Sequence, residues 1–209
     1  NFQLRTAIDK AKAAGIPNDT IERAIAKGAG TYDDGEANYE EIRYEGYGPG
    51  GVAILIEALT DNRNRTAADL RAAFSKRGGN LGETGCVGWM FEQKGVTLLG
   101  GEIEEETLLE AALAGEADHY DWLDDEAGGG VEVYTSVTNL ENLNQVLQSH
   151  GLTVAETELR WIPENMLEVT DPDQAKALLK MIDSLEALDD VQSVTSNFEL
   201  GAALMDLAG

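Results

Sequence analysis

Cysteine occurs once, at Cys86, and histidine twice, at His119 and His150, among 209 residues. A lone cysteine excludes an internal disulfide, fits a reducing compartment and argues against a cysteine-based zinc site. The two histidines stand in neither HxxxH nor HExxH spacing, so no metal centre is expected. Aromatic residues make up 6% and there are four prolines. No apolar run approaches the roughly 18 residues that a membrane-crossing helix needs, and no secretory leader is visible, so the expected location is the cytoplasm without membrane attachment. The chain opens at Asn1 inside a predicted helix, which implies a preceding segment. Base is scarce as well: 15 Lys and Arg face 39 Asp and Glu, a formal net charge of -24.

That scarcity is uneven. Residues 1–94 hold 12 of the 15 bases and 14 of the 39 acids, which leaves 3 and 25 for residues 95–209. A polyanion is repelled by the second half within a Debye length of about 10 Å, so nucleic acid has to dock on the first. The acidic half is expected to hold a protein partner or to serve as a solubilising surface.

Periodicity outlines the elements. Leu4, Ile8 and Ala11 recur at helical spacing over residues 2–14 before Gly15, and Ile21, Ala24 and Ile25 do so over residues 20–27 before Gly28. The expected product is a helical hairpin, followed by a Gly- and acid-rich linker over residues 28–38. From Tyr39 the period becomes two, with Ile42, Tyr44 and Gly46 on one side and Glu41, Arg43 and Glu45 on the other. GYGPGG then turns the chain into the run VAILIEAL, a β-hairpin. Thr66 and Asp69 suggest a capping box for the next helix, Leu70, Ala73 and Phe74 its inner face, and Gly78 and Gly79 its end. Cys86 to Phe91 reads as a strand. Residues 96–162 follow a βαββαβ order, a ferredoxin-like unit. A helix over residues 173–185 and a strand over 191–198 remain. They cannot cover their own faces, but with residues 39–94 they complete a second sheet covered by two helices. The expected fold class is therefore α+β: a helical hairpin over residues 1–38, then two α/β ferredoxin-like domains. One is discontinuous, over 39–94 plus 164–209, and the other, a βαββαβ unit over 95–163, is inserted in it.

Catalytic chemistry finds little support. The GYGPGG turn joins strand to strand, has no following lysine and loses a donor at Pro49, so it is a tight turn rather than a phosphate cradle. Glu104, Glu105 and Glu106 read as an acidic helix start, and Cys86 as a small core residue. No enzyme activity, cofactor or metal is expected. The binding signal lies in TDNRNRTAADLRAAFSKRGGNL, residues 60–81, where Arg63, Arg65, Arg71, Lys76 and Arg77 outnumber Asp61 and Asp69. Arginine forks beside the Asn64 amide suit phosphate oxygens. Arg71 and Lys76 point in different directions by helical angle, so three or four of these cations at most meet one partner. With Arg5 and Lys12 of the first helix, they form the candidate nucleic-acid contact set: Arg5, Lys12, Arg63, Asn64, Arg65, Arg71, Lys76 and Arg77.

The stretches YEEIRYEGYGPGGVA and TDNRNRTAADLRAAFSKRGGNLGETGCVGWMFEQKG closely resemble the YebC/PmpR family, which includes a mitochondrial translational activator of cytochrome oxidase subunit I. The likeness is strongest from Ala7 to Gly95 and continues collinearly to the C-terminus. It implies a helical N-terminal domain and two α/β domains, one inserted in the other. It also implies a regulator of gene expression without enzyme activity, binding promoter DNA as a transcriptional regulator or acting at the ribosome as a translation factor. Members begin with a basic, tryptophan-containing segment of the HSKWANIKHKK type, which this chain lacks. A reading from another class is a small-molecule sensor, because ferredoxin-like domains often pair and hold metabolites between them.

Overall fold

A strand whose alternate residues are apolar needs one covered face, and a helix with an apolar stripe supplies the cover. In the computed structural model, which describes residues 2–29, 39–124 and 129–207, this pairing is met twice. The chain separates into two compact units, Asn1–Ala26 with Gln93–Trp161, and Lys27–Glu92 with Ile162–Gly209. The fold is α+β, as its alternating periods predict. The linker predicted over 28–38 lies outside the described residues from 30 onward.

In the second unit, β1 (Glu40–Tyr47) and β2 (Ala53–Thr60) form the hairpin, with Tyr47 opposite Ala53. Gly50 and Gly51 both adopt φ 77° in the turn between them, a conformation that favours glycine. β3 (Asn80–Leu81) and β9 (Val191–Ser196) complete an antiparallel sheet in the order β3-β1-β2-β9. Helices α3 (Arg63–Lys76) and α6 (Pro172–Glu186) supply its cover. Ile54, Ile56, Leu70, Phe74, Leu178, Met181 and Leu185 share that core, each side chain contributing about 1.5–3 kcal/mol by leaving water.

In the first unit, β4 (Phe91–Gly100), α4 (Glu105–Ala114), β5 (His119–Trp122), β6 (Val131–Ser136), α5 (Leu140–Ser149) and β7 (Thr153–Pro163) follow one another. Their sheet order, β5-β6-β4-β7, is the ferredoxin-like arrangement. Leu99, Leu108, Val131, Val133, Leu143 and Leu147 fill its core. α1 (Phe2–Ala13) and α2 (Asn18–Gly28), the latter as far as Ala26, belong to the same unit. Gly15, at φ 75°, ends the first of them.

Three local expectations are corrected. The N-cap of α3 is Asn62, whose side chain accepts from the Arg65 N–H, rather than Thr66. Thr66 is buried inside the first turn, its hydroxyl drawn to Asp190 at 2.7 Å, a partner that no local pattern announces. Residues 86–90 are not strand: β4 starts at Phe91 after a short 3-10 turn, Gly88–Met90. The strand expected over 191–198 breaks at Asn197, whose side chain accepts from the Ala53 N–H at 2.8 Å. Beyond the break, β10 (Phe198–Leu200) pairs in parallel with β8 (Leu167–Val169).

Candidate nucleic-acid interface

Six of the eight predicted contact residues lie on or beside α3, and their surroundings separate them. Arg65 turns to acid: its guanidinium donates to Asp61 at 2.8 Å and to Asp190 at 2.9 Å. Thr60 and Thr66 stand on the same carboxylate at 3.2 and 2.7 Å. Although burial opposes it, the Thr66 and Arg65 hydrogen bonds hold the Asp190 carboxyl below the ordinary range. The surface depression beside this knot, about 500 Å³, is lined by Asp61, Asp69, Asp189 and Asp190 together with Arg65. Such a lining repels phosphate, so Arg65 fastens α3 to the turn before β9.

Arg63, Asn64, Arg71 and Lys76 are exposed. Arg63 reaches Glu40 only at 3.7 Å. Arg71 and Lys76 make no ion pair within 4.0 Å among the described residues. Asn64 and Arg71 lie within about 20° of each other around the helix, whereas Lys76 stands about 140° from Arg71. α3 therefore presents an arginine–amide row on one side and a single lysine on another. Arg77 is half-buried at the C-cap, and its Nε is buried without a hydrogen-bond partner among the described residues. In the other unit, Arg5 donates to Glu141 at 2.6 Å, and Lys10, outside the predicted set, pairs with Glu156. Lys12 is exposed. Thus Arg5 and Arg65 are engaged by local acids and Arg77 is drawn into the helix end, while Arg63, Asn64, Arg71, Lys76 and Lys12 face solvent.

Three features escaped the sequence reading. Glu45, assigned by alternation to the outer face with Glu41 and Arg43, is 1% exposed and accepts from the Gly85 and Val87 N–H groups. The glycine-rich GETGCVG stretch, with backbone donors lacking an obvious acceptor, was the available signal. Cys86 sits half-buried in this loop, its thiol pushed up by burial, with Glu45 adding to the effect, which suits a packed side chain rather than a nucleophile. On the ferredoxin-like sheet, Arg160 forks onto Glu132 at 2.7 and 3.0 Å, and Tyr134 donates to the same carboxylate at 2.6 Å while stacking on His119. Arg160 holds the Glu132 carboxyl below its usual range, and burial together with that carboxylate pushes Tyr134 up to about 12. Arg5, Asp9, Lys10, Glu141, Gln145 and Gln148 rim an open cleft of about 650 Å³. Among the described residues, no group of three or more His, Cys, Asp or Glu is placed to hold a metal ion, and no helix is long and apolar enough to cross a membrane.

Comparison with known proteins adds a second line. Residues 39–198 match the family model described as the second and third domain of TACO1/YebC, and residues 1–31 the one for the N-terminal domain of that protein. A probable transcriptional regulatory protein of Synechocystis is 77% identical over 209 residues, covering 100% of this chain and 83% of the relative. A protein of the same description from Gloeothece citriformis is 70% identical over 207 residues, 99% and 81% of the two chains. Among solved structures, a conserved hypothetical protein from Aquifex aeolicus superposes with a TM-score of 0.84 at 42% identity, covering 98% of this chain and 82% of that one.

Proposed function

The chain belongs to the TACO1/YebC family, and from that premise we propose that it is a non-enzymatic, cytoplasmic regulator of gene expression that works by contacting nucleic acid. The observation that supports this most is that Arg63, Asn64 and Arg71 of α3 all face solvent, in a protein whose net charge is -24. These side chains lie outside the core of their unit, and guanidinium and amide together suit phosphate oxygens. The relatives' description as probable transcriptional regulatory proteins favours duplex DNA as the target. Action on RNA at the ribosome uses the same phosphate chemistry. The acidic half, with 25 of the 39 acids beyond residue 94, suits a basic protein partner.

The deciding variant reverses Arg63, Arg71 and Lys76 to Glu together and leaves Arg65 in its knot. The triple variant keeps its fold by circular dichroism and loses affinity. Its log-log salt dependence flattens by about 0.9 for each phosphate it no longer neutralises on duplex DNA, and by about 0.7 on single strands. Unchanged affinity and slope on both would sink the assignment of α3 as the binding element.

The cleft rimmed by Arg5 and Gln148 favours a second reading, a small-molecule sensor. Ligand-dependent stabilisation against a metabolite set measures it.

A further inference from the structure

The loop between β3 and β4 is built around a buried charge. Glu45 Oε2 accepts from the Gly85 N–H at 2.6 Å and the Val87 N–H at 3.2 Å. The Gly82 N–H donates to the Glu45 carbonyl at 2.8 Å, and the Tyr47 hydroxyl donates to the Cys86 carbonyl at 3.1 Å. A carboxylate at this depth is unfavourable unless hydrogen bonds compensate it, and an apolar side chain would fill the space without that cost. What the carboxylate produces is a loop of fixed shape.

At the end of that loop stands Trp89, 69% exposed. Its indole N–H donates to the Cys86 carbonyl at 3.2 Å, so the loop satisfies the ring's one polar group and solvent meets the ring faces. A Cβ at Gly88 would collide with Glu45 Oε1, so an alanine there displaces the loop or the buried carboxylate that holds it. The Arg43 guanidinium lies 3.6 Å from that Cβ position, with its Nε 3.3 Å from Glu45 Oε1. Tryptophan is thus presented to water and oriented in advance.

We propose that Trp89 is a stacking platform for an unpaired nucleobase. The inference deepens the nucleic-acid reading above and rests on it. A base stacks on any exposed π face, and a ring already fixed loses little freedom on stacking. A single fixed ring whose N–H is already satisfied offers a flat π face rather than a pocket of apolar anchors. Duplex bases are stacked internally, so the platform selects single-stranded segments or flipped loops.

The test measures binding of a labelled single-stranded RNA oligonucleotide, and of its duplex, to the full chain, to Trp89→Ala and to Trp89→Phe. Trp89→Ala weakens the single strand on the order of ten-fold or more and leaves the duplex unchanged, and Trp89→Phe retains most of the affinity. Gly88→Ala, which keeps the indole but displaces the loop or the carboxylate that holds it, weakens the single strand as Trp89→Ala does. Both Trp89 variants keep the wild-type melting curve within a few degrees, since the indole is exposed. If the wild-type chain binds the strand and Trp89→Ala binds it equally, stacking is refuted while the nucleic-acid reading stands. Loss of self-association in Trp89→Ala without loss of strand binding also overturns it, in favour of a protein contact. If the wild-type chain binds neither nucleic acid, the functional reading itself fails and takes this one with it.

Discussion

Arg65 and Arg71 share one helix and meet opposite surroundings. The first lies among Asp61, Asp190 and Thr60; the second is open to solvent. In sequence the two look equivalent, because helical angle alone does not reveal that the turn before β9 brings Asp190 to the start of α3. The hydroxyl of Thr66, 1% exposed, stands 2.7 Å from Asp190 Oδ2 and 2.9 Å from Thr60 Oγ1. Thr66→Val keeps the shape and leaves that carboxylate short of a donor. It is expected to cost about 1–3 kcal/mol, read as a lowered urea midpoint at constant m-value. Arg71→Ala is expected to change stability in the same assay by less than about 0.5 kcal/mol while weakening nucleic-acid binding. Equal destabilisation by both changes would remove the division of labour along α3.

At the scale of elements, what was legible is what short-range periodicity encodes. The β1–β2 hairpin, α3, α6 and the βαββαβ run carry their apolar residues at the spacing that their own geometry demands, so Ile54 and Ile56, or Leu70 and Phe74, reveal strand and helix without reference to anything distant. That Arg71 and Lys76 point in different directions was visible for the same reason: helical angle is local. What failed was decided by distant partners. Thr66 resembles a cap until Asp190 is seen, CVGWMF resembles a strand until Glu45 draws its amides inward, and residues 191–198 resemble one strand until Asn197 turns out. Asn197 acts twice: its Oδ1 accepts from the Ala53 N–H at 2.8 Å, and its own N–H donates to the Ala53 carbonyl at 3.2 Å. Ala53 is 0% exposed, so Asn197→Ala strands a buried donor. The expected loss is about 1–3 kcal/mol, with faster amide exchange along β9 and β10 as its local signature. Wild-type exchange there would mean that water replaces the amide.

Across the whole molecule, charge acts in opposite directions on stability and on binding. The net charge is -24, and the 25 acids beyond residue 94 face only 3 bases, so self-repulsion opposes compaction at low ionic strength. Raising salt shortens the Debye length from about 30 Å at 0.01 M to about 8 Å at 0.15 M and screens that repulsion. The melting temperature is therefore expected to rise over this range, while nucleic-acid affinity falls as counterion release weakens. Acid separates local from global effects. Glu132, held below the ordinary carboxylate range by Arg160, contributes stability that is complete above its unfolded pKa and is lost as pH falls through its lower folded value. Asp190, also lowered, acts with the same sign. Acid that lowers the net negative charge relieves repulsion, and stronger acid then releases these two anchors. The expected profile of stability against pH has a maximum on the acid side of neutrality, followed by a fall below the ordinary carboxylate range. In Arg160→Met, the Glu132 pair is gone and that carboxylate loses its reason to stay ionised. The acid limb becomes shallower, and stability at neutral pH falls because Glu132 is left half-buried without its cation. An acid limb that keeps its slope in Arg160→Met would show that the pair does not govern acid unfolding and that repulsion among the remaining charges does.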